Sequence, residues 1–417
     1  MQVEAERDGI IERIAALDVS KAEVVCCARV PGLGRQRMQE VRTVSTMTTA
    51  LLGLGDWLTS LGVTRVVMEA TSDYWRAPFY LLEDRFETWL VNSHDVKHRA
   101  GPRPTGWMPS GCARSPSREM LRPSFVPPPA IRALRDLTRY RVDLLAVRTP
   151  EKQRVEKLLE DALIKLSVVV SDPFGTSGRA IMAALIAGER DPMTLADLAR
   201  GRLRAKTDRL IDALTGRFTE HHAFLLTQML ARIDGITADI ATVQTRIDAQ
   251  MDELAPAVAK LDAIPGVGPV AAQMILTEIG TDMSRFPPPA HLTSWAQFAP
   301  GVSESAGRPT GNAGTGKGNR YLARIVGEAA VSAARTGTFL GERYRRIARR
   351  RGKKRAIVAV SRSILVVICA LLSDEQAQFV DLGPDYYAAR TNPERRVRHH
   401  VRGLQALGYT VTLNPAA

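Results

Sequence analysis

The sequence predicts an α/β domain followed by a mainly helical region, and three patterns indicate this. Residues 10–96 alternate short apolar runs with amphipathic stretches, which is typical of a sheet covered by helices. From Ala130 onward the patterns are those of long helices, with little enrichment in β-branched residues. Within them, apolar residues recur alternately three and four positions apart, as in a coiled coil. We expect domains at residues 1–129, 130–255 and 256–417.

Four strands and two helices are expected in the first domain. The strand-like runs read IAALDV, EVVCCARV, RVVMEAT and TWLVN, with one helix near TTALLGLGDWLTSLG and another before the last strand. Asp18 and Glu69 end two of these runs. A carboxylate is easier to accommodate at the rim of a sheet than inside it, so the pair is a candidate for half of a Mg²⁺ site. Either acid alone more simply caps or turns the chain after a strand.

An apolar seam runs along the predicted helix of the middle domain. It consists of Leu226, Met229, Ile233, Ile236, Ile240, Val243 and Ile247. Packing against the helix around residues 151–168 of the same chain and pairing between protomers explain this seam equally well. We expect a homo-oligomer, but the sequence does not separate the two arrangements.

The seam leads into LDAIPGVGPVAAQMILTEIG, in which a turn with Gly266 and Gly268 separates two helical runs. Glycines allow close approach of the backbone, and the amides that open a helix can hold a phosphate. A helix-hairpin-helix-like turn of this kind binds DNA without reading its sequence. The alternative is an ordinary corner between two helices.

A glycine-rich loop follows, within WAQFAPGVSESAGRPTGNAGTGKGNRY. Gly311 to Lys317 resembles the start of a phosphate-binding loop, but Gly318 replaces the required Ser or Thr and no strand precedes it, which excludes an ATPase. A serine in such a loop is most often a turn residue. The loop nevertheless brings hydroxyls and cations together, which suits chemistry on a phosphate. These residues are Ser303, Ser305, Arg308, Lys317 and Arg320.

The chain is strongly basic, with a formal net charge of +13 and a pI near 9.9. Nine of the thirteen residues from Arg343 to Arg355 are Lys or Arg. A run of this kind is usually a solvated helix face, but in a basic chain it favours binding to phosphate backbones, and nucleic acid rather than a membrane is the expected partner. The candidate contacts are Arg349, Arg350, Arg351, Lys353 and Lys354.

Two features argue for a cytoplasmic protein without a membrane span. The apolar run AIVAVSRSILVVICALL is short for a bilayer and contains Arg362, so it is expected to be a buried core helix. The N-terminus mixes acids and bases, unlike a signal peptide. The four cysteines lack a metal-binding spacing, and we expect them to be reduced and structural.

Taken in order, several motifs resemble the DEDD insertion-sequence transposases, known as the one-ten family. They are LDVSK, VVMEAT with SDYW, LVNSHDVKH, SFVPPPAIRALRDLTRYR, IPGVGP and APGVSESAG with GKGN. The resemblance spans nearly the whole chain. It implies a RuvC-like, RNase H-type N-terminal domain, a C-terminal transposase domain with a nucleophilic serine, and a structured guide RNA from the element that bridges target and donor double-stranded DNA.

The same resemblance implies roles for individual residues. Asp18 and Glu69 would be the first two of four metal-binding acids, and Ser305 would attack a DNA phosphodiester. Ser303 is the weaker candidate, because the family's serine precedes a small residue and a glycine, here Ala306 and Gly307. Arg308 and Lys317 would offset phosphate charge. Lys21 is a weaker candidate still, since a solvated surface lysine is its more ordinary role.

The sequence departs from the family where the third and fourth acids are expected. No acid occurs between Asp95 and Glu119. The codons of Trp107, Met108 and Pro109, read one base earlier, give Asp and then Ala. Three codons upstream, the junction of Pro104 and Thr105 gives Asp if the proline codon ends in G.

We therefore interpret residues 102–118 as a compensated frameshift, and a divergent loop is the alternative. Asp73 and Asp95 lack the spacing needed to substitute for the missing acids. The chain as written is then expected to be impaired. A catalytically inactive remnant that binds nucleic acid is the competing hypothesis, whereas a Holliday-junction resolvase would lack the Ser305 loop.

Overall fold

The computed structural model describes residues 13–32, 37–69, 72–91, 123–300, 304–305, 308–309, 315–316, 318–390 and 393–414. The chain divides into two compact units, Met1–Val126 and Pro127–Ala417.

The first unit is built on a five-stranded mixed sheet with the order β3-β2-β1-β4-β5. β1 pairs antiparallel with β2 and parallel with β4, while β2–β3 is antiparallel and β4–β5 is parallel. The predicted α/β class is confirmed for this unit. The strands are β1 (Ile14–Val19), β2 (Glu23–Pro31), β3 (Arg37–Ser45), β4 (Arg65–Glu69) and β5 (Glu87–Val91).

Helices α1 (Thr48–Ser60) and α2 (Arg76–Leu82) cover one face of this sheet. Alternate residues of β1 and β4 point into that core, among them Leu17 and Met68. The intervening residues belong to the opposite face, where Ile14 and Val67 are also buried.

The second unit is mainly helical, as predicted. Its two-residue strands, β6 (Glu304–Ser305) and β7 (Arg308–Pro309), form a small hairpin. Its longer helices are α3 (Pro129–Asp161), α5 (Thr176–Ile186), α7 (Thr207–Leu214), α8 (Glu220–Gln250), α9 (Ala255–Asp262), α10 (Pro269–Ile279), α12 (Arg320–Ala333), α13 (Phe339–Arg351), α14 (Lys353–Ser373) and α16 (Pro393–Ala406). Its shorter helices are α4 (Leu166–Val169), α6 (Pro192–Ala196), α11 (Pro289–Trp295) and α15 (Tyr386–Ala389), with 3₁₀ turns at Gly201–Lys206, Asp252–Leu254 and Met283–Arg285.

The long helices α3 and α8 pack against each other in an antiparallel pair. Leu159 shares a core with Leu226, whereas Leu134, near the other end of α3, packs with Ile247. Packing within one chain therefore does occur, although the partner helix is α3 rather than a helix over residues 151–168. Within the seam, Leu226, Ile233 and Ile247 are buried, and the members between and beside them are half-buried.

Helix α14 lies at the centre of the C-terminal helices. It packs against α9, α11, α12 and α13, and Val360, Ile364 and Ile368 have no exposed surface. By length and hydropathy it is the one described helix that would be able to cross a membrane. Its burial confirms the prediction of a core helix, with Arg362 on the exposed side.

Candidate active site and nucleic-acid interface

Asp18 and Glu69 lie side by side at the rim of the sheet. Their preceding residues, Leu17 and Met68, are paired across the parallel strands β1 and β4. Because Leu17 and Met68 point into the helix-covered core, Asp18 and Glu69 both belong to the opposite face. Adjacent strands are roughly 4.8 Å apart, so the backbones that carry the two carboxylates are close neighbours. Asp18 is exposed and Glu69 is half-buried.

The donor set at this rim fits half of a divalent-cation site. Both side chains are carboxylates, the ligands that Mg²⁺ prefers. Within the described parts of the chain, no group of three or more His, Cys, Asp or Glu residues converges here. Asp73 forms a salt bridge of 3.2 Å with Arg76 at the start of α2. Asp95 and residues 102–118 lie outside the described residues, and the exposed Lys21 follows β1.

Ser305 lies in the β6–β7 hairpin of the glycine-rich loop, which we define as residues 299–319. The backbone register places Arg308 opposite Ser305 and Pro309 opposite Glu304. The loop thus brings the predicted nucleophile and one predicted phosphate-binding residue together at the level of the backbone. Ser303 and Lys317 lie outside the described residues.

The two ends of the glycine-rich loop meet at Gln297, which has a positive φ of 62°. A Cβ atom on Gly316 would lie 2.0 Å from Gln297 Oε1, and one on Gly318 would lie 2.7 Å from Gln297 Cγ. A side chain at either position would displace the side chain of Gln297. Gly316 and Gly318 therefore both lie against Gln297 at the base of the loop.

A buried ion cluster holds the end of this loop. Glu278, on α10, is only 2% exposed and accepts two hydrogen bonds of 2.8 Å from Arg139. Arg135 lies 3.4 Å from the same carboxylate and donates to the carbonyls of Thr277 and Glu278. Asn319 donates to Glu278 Oε2 and accepts from the backbone amides of Tyr321 and Leu322, which caps α12.

The cluster has clear electrostatic consequences. Burial alone would lower the pKa of Arg139, but the hydrogen bonds and charge of Glu278 outweigh it and raise that pKa. The cluster joins α3, α10 and α12 at the point where the glycine-rich loop ends.

Arg320 is positioned next to this cluster and faces solvent. It donates to Tyr321 Oη at 2.6 Å and lies over the Tyr321 ring, and Arg139 also contacts that ring. Tyr321 in turn donates to Asp143 at 3.2 Å. The hydrogen bond with Tyr321 raises the pKa of Arg320, so this predicted contact carries a fixed positive charge.

The two glycines of the IPGVGP turn are not equivalent. Gly266 has a φ of +90°, and a Cβ there would lie 2.3 Å from the carbonyl oxygen of Ala329 on α12. This glycine is required for packing within the protein. Gly268 is the N-cap of α10 and has open space around its Cα. Of the two, only Gly268 has room for another molecule.

The basic run is divided between α13 and α14 by Gly352, which has a φ of +84°. The predicted contacts Arg349, Arg350, Arg351, Lys353 and Lys354 are all exposed. Arg345 differs, because it pairs with Glu342 and donates to the carbonyls of Ala334 and Thr336. The run is therefore partly structural and partly a free cationic surface.

Sequence reasoning missed the Glu278 cluster and the aromatic residues beside the basic run. A signal for the first was present, because Glu278 interrupts the apolar run of α10 and a buried acid needs a cationic partner. Arg135 and Arg139, four residues apart on one helix, supply it. For the second, Tyr386 and Tyr387 were a weaker signal, since nothing local placed them near residues 343–351.

Comparison with protein-family models finds a match. Residues 258–345, which include the IPGVGP turn, the glycine-rich loop and α12, match a model of transposases. The description of that model is "Transposase IS116/IS110/IS902 family", and the match confirms the resemblance to the one-ten insertion-sequence transposases. No curated protein matches the chain.

Proposed function

We propose that this insertion-sequence transposase cuts and joins DNA through Ser305, assisted by a Mg²⁺ site at Asp18 and Glu69. The observation that carries the proposal is the family match over the segment that contains the Ser305 hairpin and its anchored base. The adjacent carboxylates on β1 and β4 support the metal site. The RNase H-like assignment of the sheet and the guide RNA are proposed from the sequence resemblance.

Asp18 and Glu69 are the residues that would hold the metal. Mg²⁺, when bound, supplies positive charge beside a phosphate that is being transferred. Two carboxylates leave that charge less compensated than the four of the family pattern, so the chain as written is proposed to be impaired. The gene's nucleotides across codons 98–121 distinguish a frameshift from a divergent loop.

Ser305 is proposed to act as the nucleophile. Its Oγ forms a bond to phosphorus as a bond from phosphorus to a sugar oxygen breaks, the serine loses its proton, and the leaving sugar oxygen gains one. The product is a phosphoserine link to DNA. Arg308 and Lys317 would offset the charge that develops on the phosphoryl oxygens. The double-stranded ends and target bind along the exposed cations of α13 and α14.

The second candidate function is nucleic-acid binding without catalysis. The absence of an acid between Asp95 and Glu119 in the sequence favours it for the chain as written. Such a protein would retain the cationic surface and the loop, but not recombine DNA. A homo-oligomer in the cytoplasm is proposed for either function.

Trapping the covalent adduct tests the proposed chemistry. Two proteins are compared: the chain as written, and a version in which the minus-one frame is restored across residues 102–118. Each is incubated with labelled element-end DNA, element RNA and Mg²⁺ and then run on a denaturing gel. We expect an adduct only with the restored version. Ser305→Ala should abolish it, whereas the matched Ser303→Ala should retain most of it. An adduct that survives Ser305→Ala refutes the nucleophile, and robust recombination by the unrestored chain refutes the impairment.

A further inference from the structure

A cavity of about 550 Å³ lies beside the basic run, and its lining is strongly cationic. We call it the arginine–tyrosine pocket. No carboxylate is among the residues that line it, which are Arg343, Arg346, Ile347, Arg350, Arg351 and Tyr387.

Tyr387 holds two of these arginines in place. Its hydroxyl accepts a hydrogen bond of 2.8 Å from Arg343 Nη1, and the guanidinium of Arg346 lies over its ring at 4.5 Å. The ring itself is fixed by Phe339, which stacks on it at 5.3 Å, and by Tyr386, which meets it edge-on. The arginines are therefore partly ordered before any ligand arrives, which lowers the entropy lost on binding.

The positive charge of the pocket is uncompensated. None of its four arginines forms a salt bridge with an acid in the described part of the chain, whereas Arg345, on the same helix, is paired with Glu342 at 3.0 Å. Arg343, Arg346 and Arg350 recur three and four residues apart, so they share one face of α13. Like charges held this closely repel one another, and an anion that enters removes that repulsion.

We propose that the arginine–tyrosine pocket binds the phosphodiester backbone of a nucleic-acid strand, with Tyr387 as the residue that positions Arg343 and Arg346. Guanidinium groups bind phosphate oxygens in pairs, and the exposed cations that follow on α13 and α14 continue the surface for a polyanion. The proposal deepens the proposed function, on which it rests for the kind of ligand. DNA and RNA share this chemistry, and the test separates them.

The test measures fluorescence anisotropy of the full chain with a random-sequence duplex DNA and with a hairpin RNA, each over a series of salt concentrations. Arg350→Ala should weaken binding by about tenfold and lower the salt slope by about one. Arg349→Ala removes the same charge from the same helix outside the pocket, and its loss should be clearly smaller. Tyr387→Phe keeps the ring stack and removes the hydroxyl, so a smaller but measurable loss is expected.

If Arg350→Ala weakens binding to one probe more than to the other, that probe identifies the kind of strand that the pocket binds. The proposal would be overturned if Arg349→Ala and Arg350→Ala lowered the affinity equally. It would also be overturned if Tyr387→Phe, with unchanged circular dichroism, left the affinity unchanged. Absence of binding to both probes by the wild type would also overturn it. The serine chemistry is tested separately by adduct formation. A negative anisotropy result therefore does not contradict the proposed function, and a missing adduct does not contradict the pocket.

Discussion

Glu278 shows how a single buried charge determines the position of a candidate active-site loop. Its carboxylate neutralises the charges of Arg135 and Arg139 and also accepts a hydrogen bond from the side-chain amide of Asn319. Asn319 is the residue at which the loop ends and helix α12 begins. A buried carboxylate with three partners has one favourable arrangement, because any displacement leaves a charge without compensation. The position of the loop end is therefore set by a buried ion cluster on α3 and α10.

Glu278→Gln should destabilise the protein strongly. The substitution keeps the shape of the side chain but removes the charge opposite two largely buried arginines, so the free energy of unfolding should fall by on the order of 3 kcal/mol. Glu328→Gln is the matched control, because its exposed pair with Arg324 should contribute less than about 1 kcal/mol. Chemical denaturation measures both. Similar losses in the two variants would mean that the cluster does not stabilise the fold.

At the scale of elements, the two glycines of the IPGVGP turn have different surroundings. Gly266 lets α12 approach the turn, while Gly268 opens α10 with space beside it. The sequence left two alternatives, an ordinary corner between two helices and a phosphate-binding turn. The tertiary structure assigns the first role to Gly266, and only Gly268 remains a candidate for the second.

Gly266→Ala and Gly268→Ala should therefore differ in stability. The first places a Cβ against the backbone of α12 and strains a left-handed residue, so a loss of about 2 to 4 kcal/mol is expected. The second meets no atom within 4 Å and has a φ of −89°, so the melting temperature should change little. Thermal unfolding followed by circular dichroism compares them. Equal melting temperatures would contradict the close packing of Gly266 on α12.

Strand β3 was not predicted from the sequence patterns. Four strands of the sheet carry clear apolar runs, but β3 reads RMQEVRTVS and lies at the edge. Met38 and Val41 are 47% and 51% exposed, and Val44 is the apolar residue that packs against the core. An edge strand held mainly by backbone pairing with β2 leaves no periodic signal in its side chains. Asp18 and Glu69 were recognisable as candidates because the residues that precede them in β1 and β4 form buried apolar runs.

The half-buried members of the α8 seam bear on the predicted homo-oligomer. Ile233 contributes to the core shared with α3, whereas Ile240 lies in the middle of the helix and keeps part of its surface exposed. If protomers pair along the seam, Ile240→Glu should shift a dimer to a monomer in light scattering, because a charge would be buried at the interface. The control is Thr242→Glu on the exposed side of α8. An unchanged mass for Ile240→Glu would exclude pairing through this residue.

At the scale of the whole molecule, the two compact units divide the proposed functions. Met1–Val126 contains the carboxylate rim, and Pro127–Ala417 contains the loop, the turn and the cationic helices. The sequence predicted the type of each region, since the periodic patterns change near residue 130. It did not predict that α3, α10 and α12 meet at Glu278, because that contact joins residues about 140 positions apart, for which local patterns give no information.

The second unit should fold and bind nucleic acid by itself. It has its own cores around α3 and α8 and around α14, and it contains the whole basic run, so residues 127–417 expressed alone should give a helical protein with a cooperative unfolding transition. Its affinity for duplex DNA should fall with salt as steeply as that of the full chain, because each neutralised phosphate contributes about 0.9 to the logarithmic slope. Replacing Arg349, Arg350 and Arg351 together by Ala should flatten that slope in both proteins. A slope that disappears when residues 1–126 are removed would place the main phosphate contacts in the first unit, and an unchanged slope in the triple variant would show that the run is only a solvated helix face.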